Sequence, residues 1–432
     1  MPAPQRTISA GDVRDFVGNH CFTPVLDGRV GVEVEWFPVP IDGRTTALAP
    51  DRLAAAHGHE PGAAGSRVTI EPGGQVELSS PPLQGIGPAC AALAADAATL
   101  STELAADGIG LVGLGFDPRP LPERCLQLPR YEAMESYFDA QGDAGRTMMR
   151  ATAAVQVNVS LGSDPAVADV RWHRAHDVGP TLAAAFANSP LAASPFGGSG
   201  PSGWRSRRLA TWSGIDRGRT AAADGGGDGR AAYAQYALDA RVMLIRCDGD
   251  RYVPLVEPLT LAEWIADGHE LGHPTHDDLE YHLTTLFPPV RPKGWLELRM
   301  IDSLPDPWWR AAMAVATTLV VDDESAAAVA PLLEPTRGLW VDAARHGLAH
   351  PGLAESARGC FEVALDALAR LGSDATTIAA VAAFHERYSA RGRCPADDRL
   401  SEWSDDGRLL PAPDRFMELS WVGASPMCAS RT

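Results

Sequence analysis

The stretch Val68–Pro81, VTIEPGGQVELSSP, constrains the fold more than any other part of the sequence, because a Pro-Gly-Gly turn separates two segments that each carry a carboxylate. Proline and glycine favour a tight turn, so Thr69–Glu71 and Gln75–Ser79 are predicted to pair as a β-hairpin. The second segment alternates polar and apolar residues, which gives a strand one polar and one apolar face. We therefore expect Glu71 and Glu77 to lie on the polar side of a sheet.

Three further segments repeat this period of two: VGVEVEWF at Val30–Phe37, VQVNVS at Val155–Ser160 and WLELRMI at Trp295–Ile301. If these segments and the hairpin form one antiparallel sheet, its apolar face is available for helices and its other face is polar. That polar face would carry Glu33, Glu35, Glu71, Glu77, Gln156, Asn158 and Glu297.

Carboxylates crowded onto one surface repel each other unless they are protonated or screened by cations. Magnesium prefers oxygen ligands and commonly binds together with substrate phosphates. The polar face therefore predicts a divalent-metal site that handles a nucleotide phosphate. The alternative stays open that these are ordinary half-exposed strands, because a single Glu-x-Glu pair is more often a solvated face.

The net charge of the chain limits the kinds of partner that it can bind. The chain has 432 residues and a formal net charge of −18, which argues against nucleic acid or an anionic membrane surface as partner. Its sequence contains no run of 18 apolar residues and no visible secretory signal. The seven cysteines are scattered without a C-x-x-C motif, so we expect reduced thiols in a cytoplasmic protein.

The order of the patterns predicts an α+β protein with one domain over residues 1–432. The sheet-bearing core is expected at about 20–310, followed by a mainly helical part at about 307–432. Two glycine-rich stretches, Ser194–Gly203 and Ala221–Gly229, are predicted to be surface loops and candidate lids. Helices are predicted at Asp12–Val17, Asp51–His57, Pro88–Asp107, Tyr131–Asp139, Arg171–Asn188, Leu261–Asp267 and Asp277–Phe287, and a strand at Ile109–Phe116.

Two common nucleotide-binding motifs do not apply. The G-x-G-x-x-G match at residues 108–113 follows a predicted helix and runs into a predicted strand, which is the reverse of the dinucleotide-binding arrangement. No G-x-x-x-x-G-K-[ST] motif is present, and Lys293, the only lysine, is followed by Gly294 and Trp295. A phosphate site must therefore use another arrangement.

Seven motifs together resemble glutamate–cysteine ligases of the plant and proteobacterial type, and the chain also resembles their actinobacterial branch, which serves ergothioneine synthesis. The motifs are EPGGQVELSSPP (Glu71–Pro82), GLGFDP (Gly113–Pro118), PRYEAM (Pro129–Met134), TMMRATAAVQVNVS (Thr147–Ser160), FANSP (Phe186–Pro190), HLTTLFPPVR (His282–Arg291) and LELRM (Leu296–Met300). The resemblance implies a glutamine-synthetase-like fold, in which helices pack on the outer face of a curved antiparallel sheet that forms a funnel.

The resemblance also implies a reaction and its site. ATP and Mg²⁺, with two or more ions and Mn²⁺ as a substitute, would serve the joining of L-glutamate to L-cysteine through a γ-glutamyl phosphate. The implied metal ligands are Glu33, Glu35, Glu71, Glu77, Gln156 and Glu297. Arg299 and Glu297 are implied as catalytic residues, Arg299 and Arg219 as phosphate ligands, and Arg208, Trp212, Tyr131, Met149 and Asn158 as substrate-binding residues. We expect a monomer without nucleic-acid or membrane partners.

Three alternatives remain at the level of sequence. A ligase of the same superfamily would activate glutamate but use another amine. A metal-dependent phosphohydrolase would use the same carboxylates without an amine. A non-enzymatic protein would bind Ca²⁺ or Mg²⁺ only for stability, although such a site has no use for the arginines near residues 205–219.

Overall fold

The computed structural model describes residues 6–23, 28–42, 48, 62–193, 198–223, 226–247 and 249–414. Its strands are β1 (Arg29–Pro40), β2 (Arg67–Ile70), β3 (Val76–Ser79), β4 (Leu83–Gln84), β5 (Ile109–Val112), β6 (Ala154–Ser160), β7 (Leu191–Ala193), β8 (Ser199–Pro201), β9 (Leu244–Cys247), β10 (Arg251–Pro254), β11 (Val290–Pro292) and β12 (Trp295–Asp302). Eight of them form one sheet in the order β11-β12-β6-β1-β3-β2, with β4 and β5 also paired with β1.

The α-helices are α1 (Ala10–Phe16), α2 (Ile86–Ala106), α3 (Pro129–Asp139), α4 (Ala144–Ala151), α5 (Pro165–Ala185), α6 (Arg207–Ser213), α7 (Arg217–Thr220), α8 (Gly229–Asp239), α9 (Leu261–Asp267), α10 (His276–Thr284), α11 (Trp308–Val321), α12 (Asp323–Leu333), α13 (Trp340–His346), α14 (Pro351–Leu368), α15 (Ala375–Arg387) and α16 (Pro395–Asp406). A π-helical turn at Val17–Cys21 follows α1. The described part after Pro307, which ends at residue 414, is mostly helical, as the sequence predicts.

The four alternating segments do form one antiparallel sheet, which confirms the central prediction. Strand β1 pairs with β3 so that Glu35 lies opposite Glu77, and it pairs with β6 so that Glu33 lies opposite Gln156. Strand β12 pairs with the other side of β6. Because side chains alternate between faces along each strand, this register puts the predicted polar residues on one face.

The opposite face of the sheet is the core of the protein. Val32, Val34 and Trp36 of β1 are fully buried there, together with the valines of β6 and the leucines of β12. Helices α2, α5 and α11 pack on this face, and α14 and α15 pack in turn against α11. The α+β class and the helical layer are thus confirmed, while the single-domain boundaries stay a prediction.

The hairpin turn explains the EPGGQ motif. Gln75 is buried, and its side chain accepts a hydrogen bond from Gly73 N at 3.0 Å and donates one to Thr152 O at 2.8 Å. Gly74 has a φ of +91°, which favours glycine, and Gly73 approaches the end of α4 so closely that a Cβ would lie 2.1 Å from Arg150 O. The turn is therefore fastened to the segment that leads into β6.

Several predicted boundaries differ from the observed ones. Helix α5 begins at Pro165 rather than at residue 171, because the Asp164 side chain caps it by accepting from Ala166 N and Val167 N. Strand β5 ends at Val112, short of Phe116. The predicted loop Ser194–Gly203 contains strand β8, which pairs with β7, so a loop without regular structure is wrong there. The predicted helix Asp51–His57 lies outside the described residues.

Two expectations from composition can be compared with the described part of the chain. None of its helices combines the length and the apolar character needed to cross a membrane. The six cysteines within it, Cys21, Cys90, Cys125, Cys247, Cys360 and Cys394, form no disulfide with one another.

Replacing Gly73 with alanine should destabilise the protein by about 1–3 kcal/mol, because the new methyl group must push the hairpin away from Arg150 O. Gly18→Ala is the matched control, since no atom lies within 4 Å of a Cβ built there. Denaturant unfolding of the three proteins measures both changes. Equal stability of the Gly73 variant and the wild type would show that the turn does not depend on this close approach.

Candidate active site

The carboxylates of β1 are held by the strand beside it. Glu35 accepts hydrogen bonds from Ala154 N at 2.9 Å and from Gln156 Nε2 at 3.1 Å. Glu33 accepts one from Asn158 Nδ2 at 2.8 Å. Both amides of the VQVN motif thus orient a carboxylate of the VEVE motif, as expected for residues that share one face of a sheet.

The hairpin brings two further carboxylates to the same face. Glu77 accepts hydrogen bonds from Thr69 Oγ1 at 2.6 Å and Ser79 Oγ at 3.2 Å, which are its neighbours on the polar face. Glu71 follows β2 directly, and its backbone N donates to Gln75 O at 2.8 Å. The site therefore takes one carboxylate from each arm of the hairpin.

These four carboxylates lie close enough together to perturb one another. Burial and then the charges of Glu297 and Glu77 raise the pKa of Glu33 to about 7. Burial is also the largest cause of the raised pKa of Glu35 and of Glu77, and a neighbouring carboxylate adds to it in both cases. Burial raises the pKa of Glu71 against the opposing charge of Arg299.

Glu297 differs from the other four carboxylates because cations surround it. Its Oε2 accepts from Arg291 Nε at 2.6 Å and from Arg299 Nη1 at 2.9 Å, and its Oε1 lies 3.5 Å from the ammonium of Lys293. Burial favours a raised pKa, but these three cations outweigh it and hold the pKa of Glu297 well below its usual range. Sequence reasoning missed Arg291 and Lys293, although both stand in the short β11–β12 hairpin.

The donor set fits a hard divalent cation, since it consists of carboxylate and amide oxygens with no thiolate or imidazole. Within the described ranges, however, no three His, Cys, Asp or Glu side chains meet closely enough to enclose a metal ion. Three of the carboxylates are instead turned to hydrogen-bond donors of the sheet: Glu33 to Asn158, Glu35 to Gln156 and Glu77 to Thr69. The carboxylates thus lie on one face of the sheet and close to each other. Their side chains would have to rotate to bring several oxygens onto one ion.

An open cavity of about 150 Å³ adjoins this face. It is lined by Arg208 and Trp212 of α6, two of the expected substrate-binding residues, and by Arg299 of β12, the expected catalytic and phosphate residue. Trp212 lies beside both arginines, with each guanidinium 5.8 Å from its ring centroid. Two cations beside one aromatic surface suit an amino-acid substrate that carries a carboxylate.

Arg208 is positioned by a residue that the sequence did not single out. Its side chain is 3% exposed, and its Nη2 donates to Arg299 O at 2.7 Å while Nη1 lies 3.8 Å from Asp302 Oδ1. Asp302 is buried, and it also accepts hydrogen bonds from Asn188 N, Ser189 Oγ and Ser206 Oγ. The FANSP motif therefore acts structurally, by fixing the carboxylate beside Arg208.

The remaining substrate candidates, Tyr131, Met149 and Asn158, do not line the cavity. Tyr131 and Met149 pack in one apolar cluster with Trp212 and Phe287, and the rings of Trp212 and Phe287 meet edge to face at 5.5 Å. Asn158 accepts a hydrogen bond from Trp295 Nε1 at 3.1 Å besides donating to Glu33. Asn158 therefore belongs to the carboxylate group rather than to the cavity.

The structure gives no support for the expected role of Arg219 in phosphate binding. Its side chain is 0% exposed, and its Nε lies 3.2 Å from Asp216 Oδ2. Both terminal nitrogens donate to the protein, Nη1 to Thr285 and Nη2 to Tyr137 OH and Arg241 O. A guanidinium whose donors are all used in a closed network holds these segments together and has none left for a phosphate.

Other residues line the cavity that sequence reasoning did not place there. Arg217 and Ala221 reach it from α7 and the start of the glycine-rich stretch, and Trp340 and Val341 reach it from α13. A lid role for Ala221–Gly229 stays a prediction, with residues 224–225 outside the described ranges. Gly198 and Ser199 line a different cavity, next to Trp403 and Leu410, so the structure gives no support for a lid there.

Glu77→Gln should stabilise the metal-free protein by on the order of 1 kcal/mol, because it removes one of several crowded carboxylates and keeps an acceptor for Thr69. The same change should reduce the stabilisation that added Mg²⁺ gives. Thermal unfolding with EDTA and with Mg²⁺ measures both effects, and Glu355→Gln, on the exposed side of α14, is the control. A destabilised variant that responds fully to Mg²⁺ would contradict the prediction.

The network of Arg219 predicts a dependence of stability on pH. Burial, and then the charge of Arg219, lower the pKa of His282 to about 4, against 6.5 for an ordinary histidine. The unfolded chain therefore binds a proton first, so stability falls as the pH drops from 6.5 towards 4. Between pH 7 and pH 4.5 the wild type should lose about 2–3 kcal/mol more than His282→Gln. Chemical unfolding at both pH values measures this, with the exposed His346→Gln as control; equal losses would contradict it.

Comparison with known proteins supports what the geometry suggests. The chain matches the glutamate–cysteine ligase family 2 (GCS2) over residues 29–410. It is 42% identical over 404 residues to the glutamate–cysteine ligase EgtA of Mycolicibacterium smegmatis. That alignment covers 91% of this chain and 92% of the relative. It is 34% identical over 278 residues to the chloroplastic glutamate–cysteine ligase of Arabidopsis thaliana, covering 61% of this chain and 51% of that protein.

A solved structure shares the fold. The crystal structure of a glutamate–cysteine ligase from Francisella tularensis in complex with AMP aligns with a TM-score of 0.52 at 13% identity, covering 89% of this chain and 86% of that chain. The extent of the family match and the near full-length relative lead to one conclusion: this chain belongs to glutamate–cysteine ligase family 2.

Proposed function

We propose that this protein uses ATP to join the γ-carboxylate of L-glutamate to the amine of L-cysteine, through a γ-glutamyl phosphate. The observation that carries the proposal is the position of Arg299. Its Nη1 donates to both Gln156 Oε1 and Glu297 Oε2, and the same guanidinium lines the cavity beside Trp212. One cation thus connects the carboxylate group with the substrate cavity, where a phosphoryl group has to meet its acceptor.

The carboxylate group would hold Mg²⁺ through Glu33, Glu35, Glu71, Glu77, Gln156 and Glu297, with Mn²⁺ as a substitute. When bound, the metal would neutralise negative charge on the phosphoryl oxygens of ATP. Support for this assignment comes from the all-oxygen donor set and from the register that puts Glu35 opposite Glu77.

Arg208 would bind the α-carboxylate of glutamate. Its guanidinium can form two parallel hydrogen bonds to a carboxylate, which a lysine cannot do. Asp302 and the carbonyl of Arg299 fix its orientation from behind, so little conformational entropy is lost when the substrate binds. Trp212 would form the flat wall along which the substrate lies.

Arg299 would act on the phosphoryl group. Attack of the glutamate γ-carboxylate on the γ-phosphate of ATP brings two anions together, and a cation at this point stabilises the charge that spreads over the phosphoryl oxygens. The cysteine amine then displaces phosphate from the acyl phosphate. Water must stay out during this interval, a task we assign to the segment around Ala221 and Ala222 at the rim of the cavity.

Two further points belong to the proposal. We expect the enzyme to act as a cytoplasmic monomer, and the unpaired thiols of its described cysteines agree with a reducing compartment. We also expect its product to serve ergothioneine or a related thiol, because the relative from M. smegmatis bears the name EgtA and matches almost the whole chain.

The test is the release of phosphate from Mg–ATP in the presence of glutamate, with and without L-cysteine or another amine. Release that requires glutamate, rises with cysteine and yields γ-glutamylcysteine by mass spectrometry would support the proposal. Release that requires glutamate but ignores cysteine would keep the acyl-phosphate chemistry and point to another amine. No release would return the carboxylates to a structural role.

Arg299→Lys should lower kcat by about 10²-fold or more while changing the KM for ATP less than tenfold. Lysine retains the charge but cannot bridge Gln156 and Glu297 and also face the cavity, so the loss falls on the transition state. Steady-state kinetics separate the two parameters. An unchanged kcat with a higher KM would show that Arg299 only binds ATP.

A further inference from the structure

The β11–β12 hairpin carries the only lysine of the chain, among 37 lysine and arginine residues. Lys293 N donates to Trp295 O at 2.8 Å, and Gly294 between them has a φ of +80°, so the turn is tight. The turn is also fixed to the N-terminal region, because Gly294 N donates to Cys21 O at 2.8 Å. A rigid turn thus presents a flexible side chain directly beside the carboxylate group.

The three cations around Glu297 are held differently. Arg291 and Arg299 both bind Oε2, and their side chains are only 13% and 14% exposed. Lys293 alone faces Oε1, at the longer distance of 3.5 Å, and its side chain is 43% exposed. Glu297 is only 2% exposed in this pair, so the ammonium of Lys293 can leave at small cost only when another cation takes its place at Oε1.

The side chain of Lys293 also borders a second cavity. Together with Arg291 it lines a cavity of about 330 Å³, whose walls include Phe16, His20, Tyr233 and Glu280. Phe16 and His20 are stacked with centroids 4.2 Å apart. Two cations and several aromatic rings on the walls of one cavity match the chemistry of a nucleoside polyphosphate.

We propose that Lys293 is an exchangeable counter-ion. It neutralises Glu297 Oε1 when no metal is bound, would leave that oxygen on binding of a divalent cation, and would then pair with the triphosphate of ATP. This inference rests on the proposed function for its ligands. Lysine suits the exchange because its compact charge sits on a flexible stem, whereas the arginines on Oε2 are planar forks held in one orientation.

The single lysine allows a direct measurement. Reductive methylation with ¹³C-formaldehyde keeps the charge and labels only Lys293 and the N-terminal amine, so two NMR signals are expected, and Lys293→Arg identifies one by its loss. Mg²⁺ with a non-hydrolysable ATP analogue should move the Lys293 signal and leave the N-terminal signal in place. A Lys293 signal that stays in place at saturating analogue would overturn the proposal.

Kinetics of variants give the second readout. Lys293→Met should raise the KM for Mg–ATP about tenfold, the effect of losing one charge-assisted hydrogen bond, and should leave the KM for glutamate within about twofold. Lys293→Arg should recover part of the loss. Arg370→Met removes an exposed cation paired with Asp322 far from the hairpin and should change neither KM. Equal increases in both KM values would instead show a purely structural role for Lys293.

The two proposals fail in different ways. If the wild-type enzyme releases phosphate with glutamate and ATP but the lysine signal never moves, the counter-ion role is wrong and the proposed function stands. If the wild type releases no phosphate, the proposed function is wrong. In that case the NMR titration still reports whether Mg²⁺ and the nucleotide displace Lys293 from Glu297.

Discussion

Strand β1 is hydrogen-bonded to four other strands, and the rest of the structure depends on its register. Its valines and Trp36 are buried under the helices, while Glu33 and Glu35 alternate with them on the other side. A shift of one residue would move both glutamates into the apolar core and the valines into the site. The free energy of burying the core therefore also fixes where the charges stand, so the site is positioned by the same interaction that stabilises the fold.

The polar face is divided by charge. On β1 and the hairpin, the carboxylates face amides and hydroxyls instead of cations. Burial and mutual repulsion therefore raise the pKa values of Glu33, Glu35 and Glu77. On β12, three cations surround the single carboxylate of Glu297 and hold its pKa well below the usual range. Arg299 lies at the boundary between these two parts, because its guanidinium donates hydrogen bonds both to Glu297 on its own strand and to Gln156 on β6. A β-bulge between Leu298 and Ile301 turns the backbone there, and Arg299 N donates to Pro289 O outside the β6–β12 ladder.

The sequence predicts the sheet and its two faces well, because a period of two leaves little freedom once four strands share it. It predicts the N-terminus of α5 poorly, although the Asp164-Pro165 step is a common start of a helix and would have located it. Arg219 illustrates the limit of the method. An arginine beside a glycine-rich stretch has the same sequence pattern whether it binds phosphate or a carbonyl, and only tertiary structure brings Thr285 and Tyr137 to its side chain.

Asp302 and Arg291 were missed for a related reason. Each stands in a strand or motif that the sequence does identify. The role of Asp302, however, depends on partners about a hundred residues away, and that of Arg291 on a hairpin too short for a clear periodic pattern. Residue type gives the chemistry that a side chain is able to perform. The choice between performing it on a ligand and performing it within the protein is made by packing, which local sequence does not record.

The position of β12 has a consequence for synthesis on the ribosome. The strand pairs with β6, yet it is made about 140 residues later, and helix α11, which covers the sheet, emerges only after it. Until then the nascent chain exposes one unpaired strand edge and an apolar surface, both of which attract other chains. The last strand also brings Glu297 and Arg299. The growing polypeptide thus covers its exposed strand edge and completes the polar face of the sheet at nearly the same moment.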